Sequence, residues 1–261
     1  MMLKNQTAII SGGLGDIGRA IARTLAAHGA NVALGDLLPP EKAGSFLLEL
    51  ERTPEAAVKA RYDQVDVCDP AAVNSWVENV SSSLGAPTLI VPNAAKVTLK
   101  PILEVSPTEW DSELRVNLNG AFHLAQSAAR KLVADKKPGR IVFIGSWAAH
   151  APHTHLPAYS VTKAGLRMLM KCMALDLAAY NILVNEVAPG YVDAGLSGRF
   201  FEADSAVRDA ARERVPIKQL ITAGDVAAEV LHLCDPACRH QTGNVVLMDG
   251  GLSLVSTANS R

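Results

Sequence analysis

The 261-residue sequence predicts an α/β fold, a doubly wound seven-stranded parallel sheet with helices on both faces. Two observations carry this expectation. Short apolar runs alternate with stretches of helical periodicity along nearly the whole chain. These runs also lack the apolar–polar alternation of a half-solvated sheet, as befits strands covered on both faces. No segment rich in Pro, Gly or Ser divides the chain, and no repeat of fixed period appears. Residues 1–261 therefore read as one domain, with a core over 5–253 and a polar tail over 254–261.

The first strand is Thr7 to Ile10, ended by the glycine-rich run 11–18. Helical periodicity follows from Arg19 to His28 (Ile21, Ala22, Leu25, Ala26) and stops at Gly29. Asn31 to Gly35 is a second strand closing on Asp36. A helix over Glu41 to Arg52 leads to a third strand near Tyr62 to Val67. Asp69-Pro70 pairs an N-cap with proline at the first helical position, opening a helix to about Ser82. Thr88 to Val91 is the fourth strand, Pro107 to Ala134 a long helix, and Arg140 to Ile144 the fifth strand. A helix from Pro157 to Tyr180 precedes the sixth strand, Leu183 to Val187. Helices near Ala206 to Arg214 and Asp225 to Cys234 then lead to the seventh strand, Asn244 to Met248.

Composition limits function. With 49% hydrophobic and 20% charged residues, a chain of this length buries a core without disulfides. Lys plus Arg number 25 against 26 Asp plus Glu, so the basic excess of a nucleic-acid binder is missing. No apolar stretch is long enough to span a membrane, and the N-terminus has no signal-peptide pattern, so a cytoplasmic location is expected. Four cysteines make no disulfide framework. The run His232-x-Cys234-x-x-x-Cys238-x-His240 has metal-ligand residue types, but on a helix His232 and Cys234 point apart and Pro236 ends the helix. It reads as structural, and no metal is expected.

Gly13-Leu14-Gly15-Asp16-Ile17-Gly18 fits G-x-G-x-x-G between a strand and a helix. Glycines there allow a tight turn and close backbone approach to a pyrophosphate, which the free N–H groups of the helix start suit. Asp36, at the end of the second strand, stands where a carboxylate would bond an adenosine ribose. It would repel a 2′-phosphate, and Leu37 beside it brings no positive charge, so NAD (NADH) is expected as cofactor. Tyr159-Ser160-Val161-Thr162-Lys163 places a phenol and an ammonium at i and i+4 on one helix face, where the positive charge favours phenolate. Ser146 lies just after the fifth strand, where such sheets place ligands.

These residues carry a family resemblance. Over about residues 5 to 253 the chain resembles the short-chain dehydrogenases/reductases, which have a Rossmann fold. Ser146 precedes Tyr159 by 13 residues, Arg140 to Ser146 matches the catalytic strand, and Val116-Asn117-Leu118-Asn119-Gly120 matches the segment of the catalytic asparagine. Asp66-Val67, Asn93-Ala94-Ala95, Pro189-Gly190 and Met248-Asp249-Gly250-Gly251 match further family segments. The resemblance implies hydride transfer between a secondary alcohol and a nicotinamide. Tyr159 would be the general acid/base, Lys163 would hold the ribose and lower the Tyr159 pKa, and Ser146 would bond the substrate oxygen. Asn117 would anchor a water linking Lys163 to solvent.

By the same resemblance the cofactor would meet Ser11, Gly12, Gly15, Asp16, Ile17 and Gly18 of the loop, and Asp36, Leu37, Asp66 and Val67 around the adenosine. Asn93, Ala94, Tyr159, Lys163, Pro189, Gly190 and Val192 complete that set. Ser146, Ala148, His153, Tyr159 and Tyr191 would meet the substrate. The chain departs from the family pattern at Asp16, Pro92, Ala95 and Ala194. Aspartate suits a helix start, but at Asp16 its charge near a pyrophosphate weakens binding unless the side chain turns away.

Specificity would reside in two segments. Trp147 to His155 holds His150, His153 and His155, and the loop after Gly190 holds Phe200-Phe201, a hydrophobic lid or a core contact. A small polar alcohol, polyol or sugar, or the matching ketone, is the expected substrate. The alternatives are a 3-oxoacyl thioester reductase of the same family, which would usually want NADPH, a catalytically silent dinucleotide-binding regulatory protein, and a zinc-dependent dehydrogenase. The resemblance also implies a homo-oligomer, a tetramer before a dimer, through the helices near 107–134 and 157–180. Neither nucleic acid nor membrane is expected as a partner.

Overall fold

The computed structural model describes residues 2–52, 57–196, 198, 201 and 204–255. Seven parallel strands are hydrogen-bonded in the order β3-β2-β1-β4-β5-β6-β7. They are β1 (Thr7–Ser11), β2 (Asn31–Asp36), β3 (Ala60–Gln64), β4 (Leu89–Val91), β5 (Gly139–Ile144), β6 (Ile182–Pro189) and β7 (Val245–Met248). The helices are α1 (Asp16–Ala27), α2 (Gly44–Glu51), α3 (Pro70–Leu84), α4 (Pro107–Glu113), α5 (Ala121–Ala134), α6 (Pro157–Leu177), α7 (Ser205–Arg214) and α8 (Ala223–Cys234).

Consecutive strand residues point to opposite faces, and each face has its own core. Ala8, Ile10, Leu89, Val91, Val142 and Ile144 pack with α1, α2 and α8. Their neighbours Ile9, Ile90, Ile141 and Phe143 pack on the other side with α3, α5 and α6. In the central strands alternation is absent from the sequence because both faces are covered. Among the described residues no helix is long and apolar enough to cross a membrane.

Several boundaries differ from expectation for local reasons. Helix α1 starts at Asp16 rather than Arg19, so the last three glycine-loop positions already belong to it. Strand β3 ends at Gln64 rather than Val67. The Asp66 carboxylate accepts from the Cys68 N–H (2.8 Å) and its carbonyl from the Asp69 N–H (3.0 Å), which turns the chain into α3. Asp69 caps α3 as expected, accepting from the N–H groups of Ala71 and Ala72. The long helix over 107–134 is interrupted: Leu114–Gly120 forms a π-helical turn between α4 and α5. Such turns are rare and concentrate at functional sites, and this one carries Asn117.

Strand β2 passes under α3 at Gly35. A Cβ there would lie 2.5 Å from Cη2 of the buried Trp76 and 2.7 Å from Cγ1 of Val65. Gly35→Ala is therefore expected to cost about 1–3 kcal/mol by overpacking, read as a lowered urea midpoint with an unchanged m-value.

Candidate active site

In a doubly wound sheet the crevice opens where the strand order reverses, here between β1 and β4. A cavity of about 1110 Å³ lies there, walled by the ends of β1, β2, β4, β5 and β6. Gly12, Gly15, Asp16, Ile17 and Gly18 line it, together with Asp36, Leu37, Asp66, Val67, Asn93, Ala94, Pro189, Gly190 and Val192. Ser146, Ala148, His153, Tyr159, Lys163 and Tyr191 line its other part. Ser11 and Asn117 do not appear on the wall and act from behind it.

The glycine loop is shaped by contacts that only glycine permits. Gly12 has φ +62°, and a Cβ on Gly18 would collide with the Gly12 carbonyl. The N-cap of α1 is Gly15, which supplies no side-chain cap. The first-turn N–H groups therefore remain available to an anion at the cavity wall, reinforced by the helix dipole. Ser11 braces the loop: its Oγ accepts from the N–H groups of Asn93 (3.0 Å) and Ala94 (3.1 Å). The Asn93 amide returns bonds to the carbonyls of Ser11 and Gly12. Asp36 holds the same loop from β2, accepting from the N–H groups of Leu14 (3.1 Å) and Leu37 (2.8 Å). A glycine-lined cradle at a helix N-terminus, with a carboxylate at the end of β2, fits a dinucleotide.

Asp16 replaces a glycine of the family pattern, and its carboxylate reaches across to accept from the Gly195 N–H at 2.8 Å. It thereby ties the start of α1 to the segment after β6. Ala194, in that segment, packs at the edge of the core under α1. Phe201 is buried and lines the cavity; Phe200 lies outside the described residues.

Tyr159 and Lys163 share one face of α6, with the Lys163 Nζ 5.5 Å from the Tyr159 ring centre. Lys163 is buried and its Nζ donates to the Ile144 carbonyl at 2.8 Å. Burial pushes its pKa down to about 8, opposed by the Glu186 carboxylate. Burial pushes the Tyr159 phenol up to about 12; the Ser146 hydroxyl lowers it and the charge of Glu113 raises it further. Both shifts have one origin, since a dry site disfavours each charged form. Ser146 Oγ also accepts from the Ala148 N–H at 3.1 Å.

Asn117 is a hub behind this group. Its Oδ1 accepts from the Lys96 N–H (2.8 Å), and its Nδ2 donates to the Lys96 carbonyl (2.9 Å) and to Thr162 Oγ1 (3.2 Å). The side chain thus pins the segment after β4 to α6. Another part of the cavity wall is aromatic: the Trp147 ring centre lies 4.1 Å from that of His153 and 5.3 Å from that of Tyr191. Burial lowers the His153 pKa, with the Pro152 and Ala151 carbonyls opposing and Arg214 adding to the fall.

Two buried carboxylates and a partly buried arginine escaped the sequence reading. Glu113 is fully buried and accepts from the Thr98 N–H at 2.6 Å. Glu186 and Arg167 form an ion pair at 3.0 Å. The signal for Glu186 was present, a carboxylate inside an apolar strand run. At the other end of the sheet, the Cys238 Sγ lies 3.6 Å from Nε2 of His232, while Cys234 is buried in the core. Among the described residues no three His, Cys, Asp or Glu side chains are grouped to hold a metal.

Known proteins resemble the chain throughout. A family model described as enoyl-(acyl carrier protein) reductase matches residues 13–253. The chain is 33% identical over 263 residues to the 2,3-dihydro-2,3-dihydroxybenzoate dehydrogenase of Bacillus subtilis strain 168, covering 97% of each. A gluconate 5-dehydrogenase from Burkholderia cenocepacia J2315, in complex with NADP and tartrate, superposes with a TM-score of 0.90 at 29% identity, over 97% of each chain. An NAD+-bound xylitol dehydrogenase superposes with a TM-score of 0.89 at 26% identity, over 96% of this chain and 100% of its own.

Burial of Lys163 has a signature in stability. Its folded value of about 8 lies below the ordinary 10.5, so between them the unfolded chain binds more protons. Stability contributed at this position therefore rises with pH from about 8 toward 10. Above pH 10 Tyr159, held near 12, acts with the opposite sign because the unfolded phenol ionises first. Urea unfolding of the free protein is expected to show the rise from pH 8 to 10, and Lys163→Met is expected to remove it.

Proposed function

Because the chain belongs to the short-chain dehydrogenase/reductase family, we propose that it transfers a hydride between a secondary alcohol and NAD(H), with Tyr159 as general acid/base. The observation that carries this reading is the grouping of Ser146, Tyr159 and Lys163 on the wall of one cavity whose other wall is a glycine-rich helix start. The nicotinamide, when bound, accepts or supplies the hydride.

In oxidation Tyr159 takes the proton of the substrate hydroxyl, and in reduction it returns one to the carbonyl oxygen. Its high pKa in the free protein makes a neighbouring cation necessary. Lys163, with a pKa near 8, is mostly protonated at neutral pH and serves as that cation. The Ser146 hydroxyl donates to the phenol oxygen or to the substrate oxygen and stabilises the charge developing there. Protons leave through Lys163 toward Asn117. Since protein groups engage the Asn117 side chain at both ends, its main-chain carbonyl in the π turn is the group we assign to hold the connecting water.

NAD rather than NADP is supported by Asp36, whose carboxylate suits a ribose hydroxyl and repels a 2′-phosphate. The nearest cation of α1, Arg19, stacks 4.5 Å from the Phe46 ring centre and donates to the Leu14 carbonyl. For the substrate we propose a small polyhydroxylated alcohol or sugar. Trp147 and Tyr191 line the cavity as aromatic partners for its C–H groups, and the names of the xylitol and gluconate dehydrogenases point the same way. We also propose a homo-oligomer, a tetramer before a dimer. Val161, Met168 and Leu175 form an exposed apolar stripe at seven-residue spacing on α6, and Leu103 is 95% exposed.

The test is NADH absorbance with the purified protein, NAD and a panel of polyols, sugars and secondary alcohols. Turnover is expected, and Tyr159→Phe is expected to lower it by about 10²–10⁴-fold with dinucleotide binding retained. A protein that binds NADH but turns over nothing, including 3-oxoacyl thioesters with NADPH, would leave the regulatory reading in its place. In a second measurement, Asp36→Ala is expected to raise the NADP-to-NAD ratio of kcat/KM by about tenfold or more, roughly 1.4 kcal/mol.

A further inference from the structure

Strand β6 is buried along its whole length and apolar apart from Asn185 and Glu186, the latter fully buried. The Glu186 carboxylate meets Arg167 of α6 in a two-pronged contact. Arg167 Nε donates to Oε2 and Nη2 to Oε1, each at 3.0 Å. The same Nη2 donates to the Ser146 carbonyl at 3.2 Å, and Nη1 lies 3.3 Å from Nδ1 of His150. Arginine can only donate, so in this contact His150 Nδ1 is the acceptor. Glu186 also fills the space beside Gly145, where a Cβ would collide with the carboxylate.

We propose that Arg167 and Glu186 are positioning residues, a clamp that fixes the 145–150 backbone and through it the Ser146 hydroxyl and the Trp147–Ala148 wall. This rests on the oxidoreductase reading, in which Ser146 holds the substrate oxygen. A buried ion pair is seldom more stabilising than a well-packed apolar pair, so stability does not account for it. What the pair adds is direction. The guanidinium is a rigid planar fork, and once Glu186 holds one edge the remaining N–H groups point along fixed lines. Those lines end on Ser146 and His150. Arg167 stands four residues after Lys163, so one helix face carries the acid/base, its cation and the clamp.

The pair also reaches the chemistry through charge. Lys163 faces the Tyr159 ring on α6 and the charge of Glu186 on β6, which Arg167 pairs; Glu113 of α4 acts on Tyr159, and Lys96 on Glu113. Of these, Glu186 favours the protonated ammonium. Neutralising it as Glu186→Gln is expected to move the alkaline limb of the kcat profile to lower pH, which a purely structural role would leave in place.

The experiment compares the wild type, Glu186→Gln and the double variant Arg167→Met with Glu186→Leu, which replaces the ion pair by an apolar pair. Each is checked by circular dichroism, then followed by hydrogen exchange of the 145–150 peptide and by steady-state kinetics. The double variant is expected to exchange faster in that peptide. Its kcat is expected to fall by about tenfold to a hundredfold, with the dinucleotide KM within about twofold of the wild type. Unchanged exchange in the folded double variant overturns the clamp, and so does faster exchange with unchanged kcat. If the wild type itself turns over no alcohol, the oxidoreductase reading has failed, and exchange in the same peptide still decides whether the clamp exists. If the double variant does not fold, Glu186→Gln decides, and an unmoved alkaline limb or unchanged exchange overturns the proposal.

Discussion

Central strands buried on both faces drive most of the polar chemistry of the sheet to the strand ends. The interiors of β1, β4 and β5 alternate Ala, Ile, Leu, Val and Phe between two cores, and an unpaired polar side chain among them would meet no water. Function therefore gathers where strands stop and backbone groups are released. The glycine loop follows β1, Asp36 ends β2, Asn93 follows β4, Ser146 follows β5 and Gly190 follows β6. Helix α6 then runs past these ends and brings Tyr159 and Lys163 to them.

The same dryness sets the electrostatics. Burial raises the phenol and lowers the ammonium, so neither charge is comfortable alone and each is more comfortable beside the other. The surrounding hydrogen bonds go largely to backbone: Asn117 to Lys96, Lys163 to Ile144, Arg167 to Ser146. Backbone partners do not rotate. The groups proposed to touch the substrate are thus held by groups that do not.

Much of this was legible in the sequence. Apolar strands without alternation gave the parallel sheet, and the i, i+4 relation of Tyr159 and Lys163 survived into the structure because a helix periodicity is local. The glycine loop was equally plain, since its constraints are steric and lie within a few residues of one another. Contacts between distant segments were not readable. Nothing in the sequence near Glu186 names Arg167, and nothing around Asn117 announces that α4 and α5 are joined by a π turn. The end of β3 was misplaced because Val65 and Val67 look like strand residues, whereas Asp66 between them folds its own carboxylate and carbonyl onto the following turn.

The bond from Asp16 to Gly195 bears on how this protein could be re-engineered. The segment after β6 is an obvious cassette for exchange with relatives, since Tyr191, Val192, Ala194 and Phe201 of it line the cavity. In a chain with glycine at position 16 that cassette would carry no tether to α1. Here it does, so a transplanted segment whose backbone did not present an N–H at the same place would leave the Asp16 carboxylate without that partner on the cavity wall. Position 16 and the cassette are therefore inherited together, and a chimera that moves one without the other inherits half a contact.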